Sequence, residues 1–192
     1  PNGHDETDNG IPLERFFTIS GKIVDTILEL DVKKENEYMV VLITKKGMIK
    51  KVDMFNFKKM KNNKSIINLD ENDELVAVSC MHNNDHREIL IYTNKGNGIR
   101  LNTDNINVYK LSASGDKSLI LTEGENISSI DTIIPDNKLL LFVTASGKIK
   151  VTEMKYFPKS KRRAEPMGLI NLDNTEEIKL IKTVNTNNRI KL

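Results

Sequence analysis

Apolar runs alternate with polar, glycine-bearing turns along this chain, with a period of about fifty residues. Three five-residue runs end in Thr-x-x-Gly: Val40 to Thr44 and Gly47, Ile89 to Thr93 and Gly96, Leu140 to Thr144 and Gly147. Their threonines lie 49 and 51 residues apart. A second spacing places two apolar residues six positions apart across a polar loop. It recurs at Phe17/Ile23, Leu69/Leu75, Leu121/Ile127 and Leu172/Ile178, stepping by 52, 52 and 51. Two markers with one period identify a β repeat protein, whose function must be read from what differs between repeats.

Within a repeat the pattern predicts strand after strand. Leu75 to Val78 is short and β-branched, Met81 to Arg87 is a polar connection, and Ile89 to Thr93 is a continuous apolar run suited to a strand covered on both faces. Thr93-Asn94-Lys95-Gly96 reads as a hairpin turn whose glycine supplies a positive φ. The following strand alternates: Ile99 and Leu101 in, Arg100 out; Ile149 and Val151 in, Lys148 and Lys150 out. Ser65 to Leu69 is taken as a fourth strand closing the unit. Four short strands in about fifty residues match a propeller-type blade. The expected fold is all-β, a partial or open array of three to four blades. The repeats fall at roughly 10–64, 65–115, 116–168 and 169–192, after a flexible lead-in over 1–9.

Hydrophobic content of 38% without tryptophan suits stacked small sheets better than one large core. Cys80 is the only cysteine, which excludes an intramolecular disulfide framework and fits a reducing compartment. No stretch approaches eighteen apolar residues, so no membrane span is expected. The net charge of +2 hides a segregated distribution. Lys45 to Lys64 holds eight lysines and one acid, and Lys148 to Arg163 holds seven basic residues and one acid. Acids collect at repeat starts, as in Asp70-Glu71-Asn72-Asp73-Glu74. Cationic runs at one phase of a repeat predict a basic face apart from an acidic one.

The run Leu42 to Lys51, with Ile67 to Leu75, Tyr92 to Arg100 and the opening Gly10-Ile11-Pro12-Leu13, resembles the C-terminal domain of the A subunit of bacterial type II topoisomerases. That family comprises DNA gyrase and topoisomerase IV, and the resemblance extends over about residues 10 to 184. It implies a β-pinwheel, a propeller-like disc whose blades exchange strands and whose basic rim binds and bends double-stranded DNA. It further implies partners: the rest of the A subunit, together with an ATPase B subunit, in an A2B2 holoenzyme. That holoenzyme would be an ATP-dependent type II topoisomerase acting in the cytoplasm on the nucleoid. ATP and Mg2+ are implied there, with no cofactor and no catalytic residue in this segment. In gyrase a glycine-rich basic box promotes chiral wrapping. Its position here falls on Ser160-Lys161-Arg162-Arg163-Ala164-Glu165-Pro166, where the glycines are missing and Glu165-Pro166 subtracts charge and freedom. A degenerate box implies weak or altered wrapping.

Wrapping asks for cations along a curved edge, since neutralised phosphates release counterions and no base readout is needed. The expected contacts are Lys50, Lys51, Arg100, Lys148, Lys150, Lys159, Lys161, Arg162 and Arg163, with Lys58, Lys59, Lys61 and Lys64 behind them. Arginines add two-pronged phosphate grip. The alternative is a propeller-like protein-interaction scaffold without a nucleic-acid role. An enzyme pocket at the blade axis lacks converging histidines or carboxylates. Cys80, His82, Asp85 and His86 lack a second ligand pair and read as a solvated turn rather than a metal site. Tyr38, Tyr92, Tyr109 and Tyr156 read as packing residues, and each glycine turn precedes a strand, unlike nucleotide loops.

Overall fold

The computed structural model describes residues 37–58, 65–83, 87–133, 139–173 and 176–184. The lead-in over 1–9, the Gly10–Leu13 segment and the Phe17/Ile23 pair lie outside them. Three hairpins carry the architecture. They are β1 (Tyr38–Thr44) with β2 (Met48–Asp53), β4 (Glu88–Thr93) with β5 (Asn97–Asn102), and β8 (Leu139–Thr144) with β9 (Ile149–Glu153). Each gains a third strand from the chain that follows: β3 (Leu75–His82) on β1, β7 (Ile127–Ile133) on β4, and β12 (Ile178–Val184) on β8. The registers repeat. Leu42 faces Lys50 and Val78, Ile91 faces Ile99 and Ile130, and Phe142 faces Lys150 and Ile181.

This grouping sets the phase of the repeat. The strand that opens each unit in the frame 65–115 or 116–168 closes the sheet of the preceding hairpin. Ser65 to Leu69 is not a strand, although Ile67 is buried; its apolar signal reports burial without pairing. The outermost strands instead come from the next repeat. In the first sheet β6 (Asp116–Lys117) lies antiparallel on Met48–Ile49, and Val108 bridges Lys51 in parallel. In the second, β10 (Lys159–Ser160) lies parallel on Arg100–Leu101, and β11 (Met167–Gly168) antiparallel on Asn97–Gly98. Blades therefore exchange strands. The one α-helical element described, α1 (Phe55–Lys58), is a single turn.

The central strands explain the continuous apolar runs. In β1, Val41 and Ile43 enter a core shared with the second sheet, while Val40 and Leu42 face the opposite side with Val52 and Ile67. In β4, Ile89 and Ile91 enter the first core, and Leu90 and Tyr92 enter another with Leu140, Phe142 and Phe157. The second sheet is thus packed between the first and third. Each fully buried Leu, Ile or Phe contributes about 1.5–3 kcal/mol, so these two strands anchor the stack. At its inner side β7 touches both β3 and β12. Ser79 and Thr132 share a hydroxyl hydrogen bond of 2.8 Å, and Asp131 accepts from Lys182 Nζ at 2.7 Å. Among the described residues the sheets form an open row of three.

Candidate nucleic-acid interface

The Thr-x-x-Gly turns are built identically. Gly47, Gly96 and Gly147 take φ of +84°, +78° and +84°, and each amide donates to its threonine carbonyl. Each threonine hydroxyl accepts from the amide four residues on: Met48 at 3.0 Å, Asn97 at 3.3 Å and Lys148 at 3.1 Å. The hydroxyl is then free to donate to an acid from the next repeat, Thr93 to Glu125 and Thr144 to Glu176, both at 2.7 Å. In the first turn Asp73 accepts from the Lys46 amide at 2.9 Å. Burial pushes the Glu125 carboxyl up, but hydrogen bonds from Thr93, Asn97 and Thr122 outweigh it and hold the group below the usual range. Bonds from Ser146, Thr144 and Lys148 bring Glu176 down to about 2. The acids at repeat starts are therefore partly turn clamps.

The exchanged segments place the cations. Since β3, β7 and β12 meet at the inner side, the outer edge consists of β2, β5, β9 and the segments laid over them. Lys51, Arg100, Lys150, Lys159 and the 160–166 loop belong to that edge, whereas Lys148 lies in the turn between β8 and β9, beside the acids that lead into β12. Their availability differs sharply. Lys161 and Arg163 are exposed and carry no side-chain ion pair among the described residues. Lys150 is exposed, lies 5.9 Å from the Phe142 ring centroid and donates to the Leu169 carbonyl at 3.2 Å. Lys51 is half-buried; burial lowers its pKa and the nearby Asp104 charge opposes the shift.

Others are held. Glu88 accepts from Arg100, and from Lys159 at 2.5 Å. Burial raises the Glu88 pKa, but the Lys159 and Arg100 hydrogen bonds prevail and lower it. Arg162 pairs with Asp116 at 2.6 Å with both side chains mostly covered. Lys148 pairs with Glu176 at 2.9 Å and Asp173 at 3.1 Å, which raises its pKa. Lys148 and Lys159 remain over 60% exposed, so a phosphate could compete for them; Arg100, at 19%, is far less accessible.

Lys50 departs from expectation. It is fully buried, and its ammonium donates to the carbonyls of Lys110 (3.2 Å), Leu111 and Ala113 (2.6 Å). Burial lowers its pKa to about 8. It holds the exchanged loop and presents no charge to the edge. Of the second group, Lys58 ends α1, and Lys59, Lys61 and Lys64 lie outside the described residues. Ile149 and Val151 also differ from expectation, at 49% and 45% exposure, because no described segment overlies β9 as β6 overlies β2. Tyr156, 60% exposed beneath Lys155, is not a packing residue, whereas Tyr92 is buried. Asp85 and His86 lie outside the described residues, and no metal-binding group of three occurs among those described.

The segment Ser160–Pro166 joins β10 to β11 and is the second-repeat counterpart of 109–115, which joins Val108 to β6. That equivalence exposes a residue overlooked in the sequence. Lys110 stands 51 positions before Lys161 and is exposed, with no side-chain partner among the described residues. The period alone could have found it.

A family model described as "DNA gyrase C-terminal domain, beta-propeller" matches residues 38–80, 87–133 and 138–185, the three strand-exchanged units. The chain belongs to the DNA gyrase C-terminal domain family. It is 33% identical over 156 residues to the DNA gyrase A subunit of Staphylococcus epidermidis, covering 80% of this chain and 17% of that protein. It is 26% identical over 149 residues to the DNA topoisomerase 4 A subunit of the same organism, covering 78% and 18%. The chain thus spans under a fifth of the length of these relatives. In fold it resembles a C-terminal domain of DNA topoisomerase IV, with TM-score 0.69 and 20% identity over 78% of this chain and 47% of that one. The E. coli ParC C-terminal domain gives 0.58 and 13%, over 79% and 63%.

Proposed function

We propose that this domain binds duplex DNA along its outer edge and bends it, and that it serves a type II topoisomerase A subunit by positioning the transported duplex. The supporting observation is the placement of cations. Lys51, Lys110, Lys150, Lys161 and Arg163 stand outside ion pairs with the described residues, on the outer strands and exchanged segments of three successive sheets. Lys148 and Lys159 join them if phosphate displaces their carboxylates. A curved row of point charges grips a phosphate backbone without reading bases, and bending energy supplies what sequence preference exists. The chemistry of strand passage, with its ATP, Mg2+ and ATPase B subunit in an A2B2 assembly, belongs to the remainder of a cytoplasmic holoenzyme.

The 160–166 segment stands in for the gyrase box in degenerate form. Arg162 is tied to Asp116, the Arg163 amide donates to the Ser118 carbonyl at 2.8 Å, and the Ala164 carbonyl accepts from the Ile120 amide at 3.0 Å. A loop fastened in this way suits holding a duplex better than wrapping it tightly. Mobility-shift titration with duplex DNA tests the binding reading, with Lys161→Gln expected to weaken binding. A supercoiling assay on the whole enzyme tests the box: efficient negative supercoiling that requires 160–166 contradicts the weak-wrapping reading.

A further inference from the structure

Where the first and second blades meet, beside the Lys46 turn, lies a cleft of about 700 Å³. Leu119, Ile120 and Leu121 line it together with the cationic side chains of Lys46, Lys117 and Arg163. Ile120 is 51% exposed although flanked by the buried Leu119. The one carboxylate lining it, Glu125, is engaged by Thr93, Asn97 and Thr122. We propose that this cleft docks an acidic peptide segment bearing apolar side chains, a second ligand distinct from duplex DNA. A duplex is too wide to enter such a cleft and gains nothing from an isoleucine. An extended peptide with leucines among aspartates satisfies both the apolar surface and the three cations.

Two observations single this place out. The first is Arg163, which takes φ of 62°, a left-handed conformation disfavoured for a long side chain. Its backbone is fixed by the Ser118 carbonyl, and its side chain borders the cleft without an ion pair among the described residues. Strain retained at a residue that makes no fold-supporting side-chain bond points to a binding role. The second is the contrast with the next repeat. The hydrogen-bonding pattern pairs Ser118 with Leu169, both amides donating to a turn-glycine carbonyl. On that register Lys117, Ile120 and Asn126 correspond to Gly168, Asn171 and Glu177. The second position loses a cation and an apolar contact and gains an acid. The fold does not require the constellation, since the neighbouring blade does without it.

Fluorescence anisotropy of the 192-residue chain with a labelled peptide carrying two leucines among aspartates tests the proposal. Control peptides replace leucine by serine or aspartate by asparagine. The expected result is saturable binding that both controls weaken. Ile120→Asp is expected to weaken it about tenfold or more, as loss of a buried isoleucine contact implies, with duplex binding unchanged. Arg163→Gly is expected to weaken peptide binding while Tm holds or rises, because glycine relieves the left-handed strain. The proposal is overturned if the peptide fails to bind the unaltered chain, or if the serine control binds equally. It is also overturned if folded Ile120→Asp, verified by its circular dichroism and Tm, retains full peptide affinity, or if Ile120→Asp weakens duplex binding as much as peptide binding.

Discussion

The ammonium of Lys50 lies 2.6 Å from the carbonyl oxygen of Ala113, sixty-three residues further along the chain. This contact joins a hairpin strand of the first blade to a loop delivered by the next repeat. It turns a lysine of a basic run into an internal fastener. Replacing Lys50 by Met fills the space but leaves three carbonyls without their donor. Stability should fall by about 3 kcal/mol, the scale for stranding buried polar groups. Urea denaturation measures this, and a change below about 0.5 kcal/mol would show that the carbonyls find other donors.

Glu176 contributes to the pH dependence alongside Glu88 and Glu125, which are also held low. Its folded pKa of about 2 lies below the ordinary value of 4.5 because Ser146, Thr144 and Lys148 donate to it. An acid with a depressed folded pKa stabilises the fold above its unfolded pKa, and that contribution disappears as pH falls from 4.5 toward 2. Tm should therefore drop through this window. Thr144→Val removes one donor and should make the drop shallower. Equal slopes in the two proteins would show that the Glu176 clamp contributes nothing to the dependence.

Glycines separate steric need from conformational need. A Cβ on Gly98 would lie 2.4 Å from the Ile91 carbonyl oxygen and 2.6 Å from Leu169 Cδ1, beneath the exchanged β11. At Gly147 it would meet nothing within 4 Å, although φ is +84°. Gly98→Ala should cost about 2–3 kcal/mol by overpacking, and Gly147→Ala about 1 kcal/mol by strain. Chemical denaturation of both variants checks the order; a larger loss at Gly147 would contradict it.

The repeat was legible because its period is written twice, in the Thr-x-x-Gly turns and in the spaced apolar pairs. The pairing of strands was not. Leu75 to Val78 reads as a strand in any frame, and nothing local says that it joins the hairpin behind it rather than the one ahead. Strand exchange depends on contacts 67 to 71 residues apart, beyond any window of periodicity. Cation roles were legible only as charge. Lys50 and Lys150 occupy equivalent hairpin positions, facing Leu42 and Phe142. Yet one is buried under a loop and the other exposed on an edge that no described segment covers. Arg162 and Arg163 are adjacent in sequence, but Asp116 claims only the first.

The central claim, an outer edge of cations that a duplex follows, is tested most directly by the salt dependence of duplex binding. Five cations unpaired among the described residues, Lys51, Lys110, Lys150, Lys161 and Arg163, predict that log K falls against log salt with a slope of about −4 to −5. Replacing Lys110, Lys161 and Arg163 by Gln together should flatten it by about 2 to 3. A slope near zero, or one indifferent to those three residues, would contradict the account.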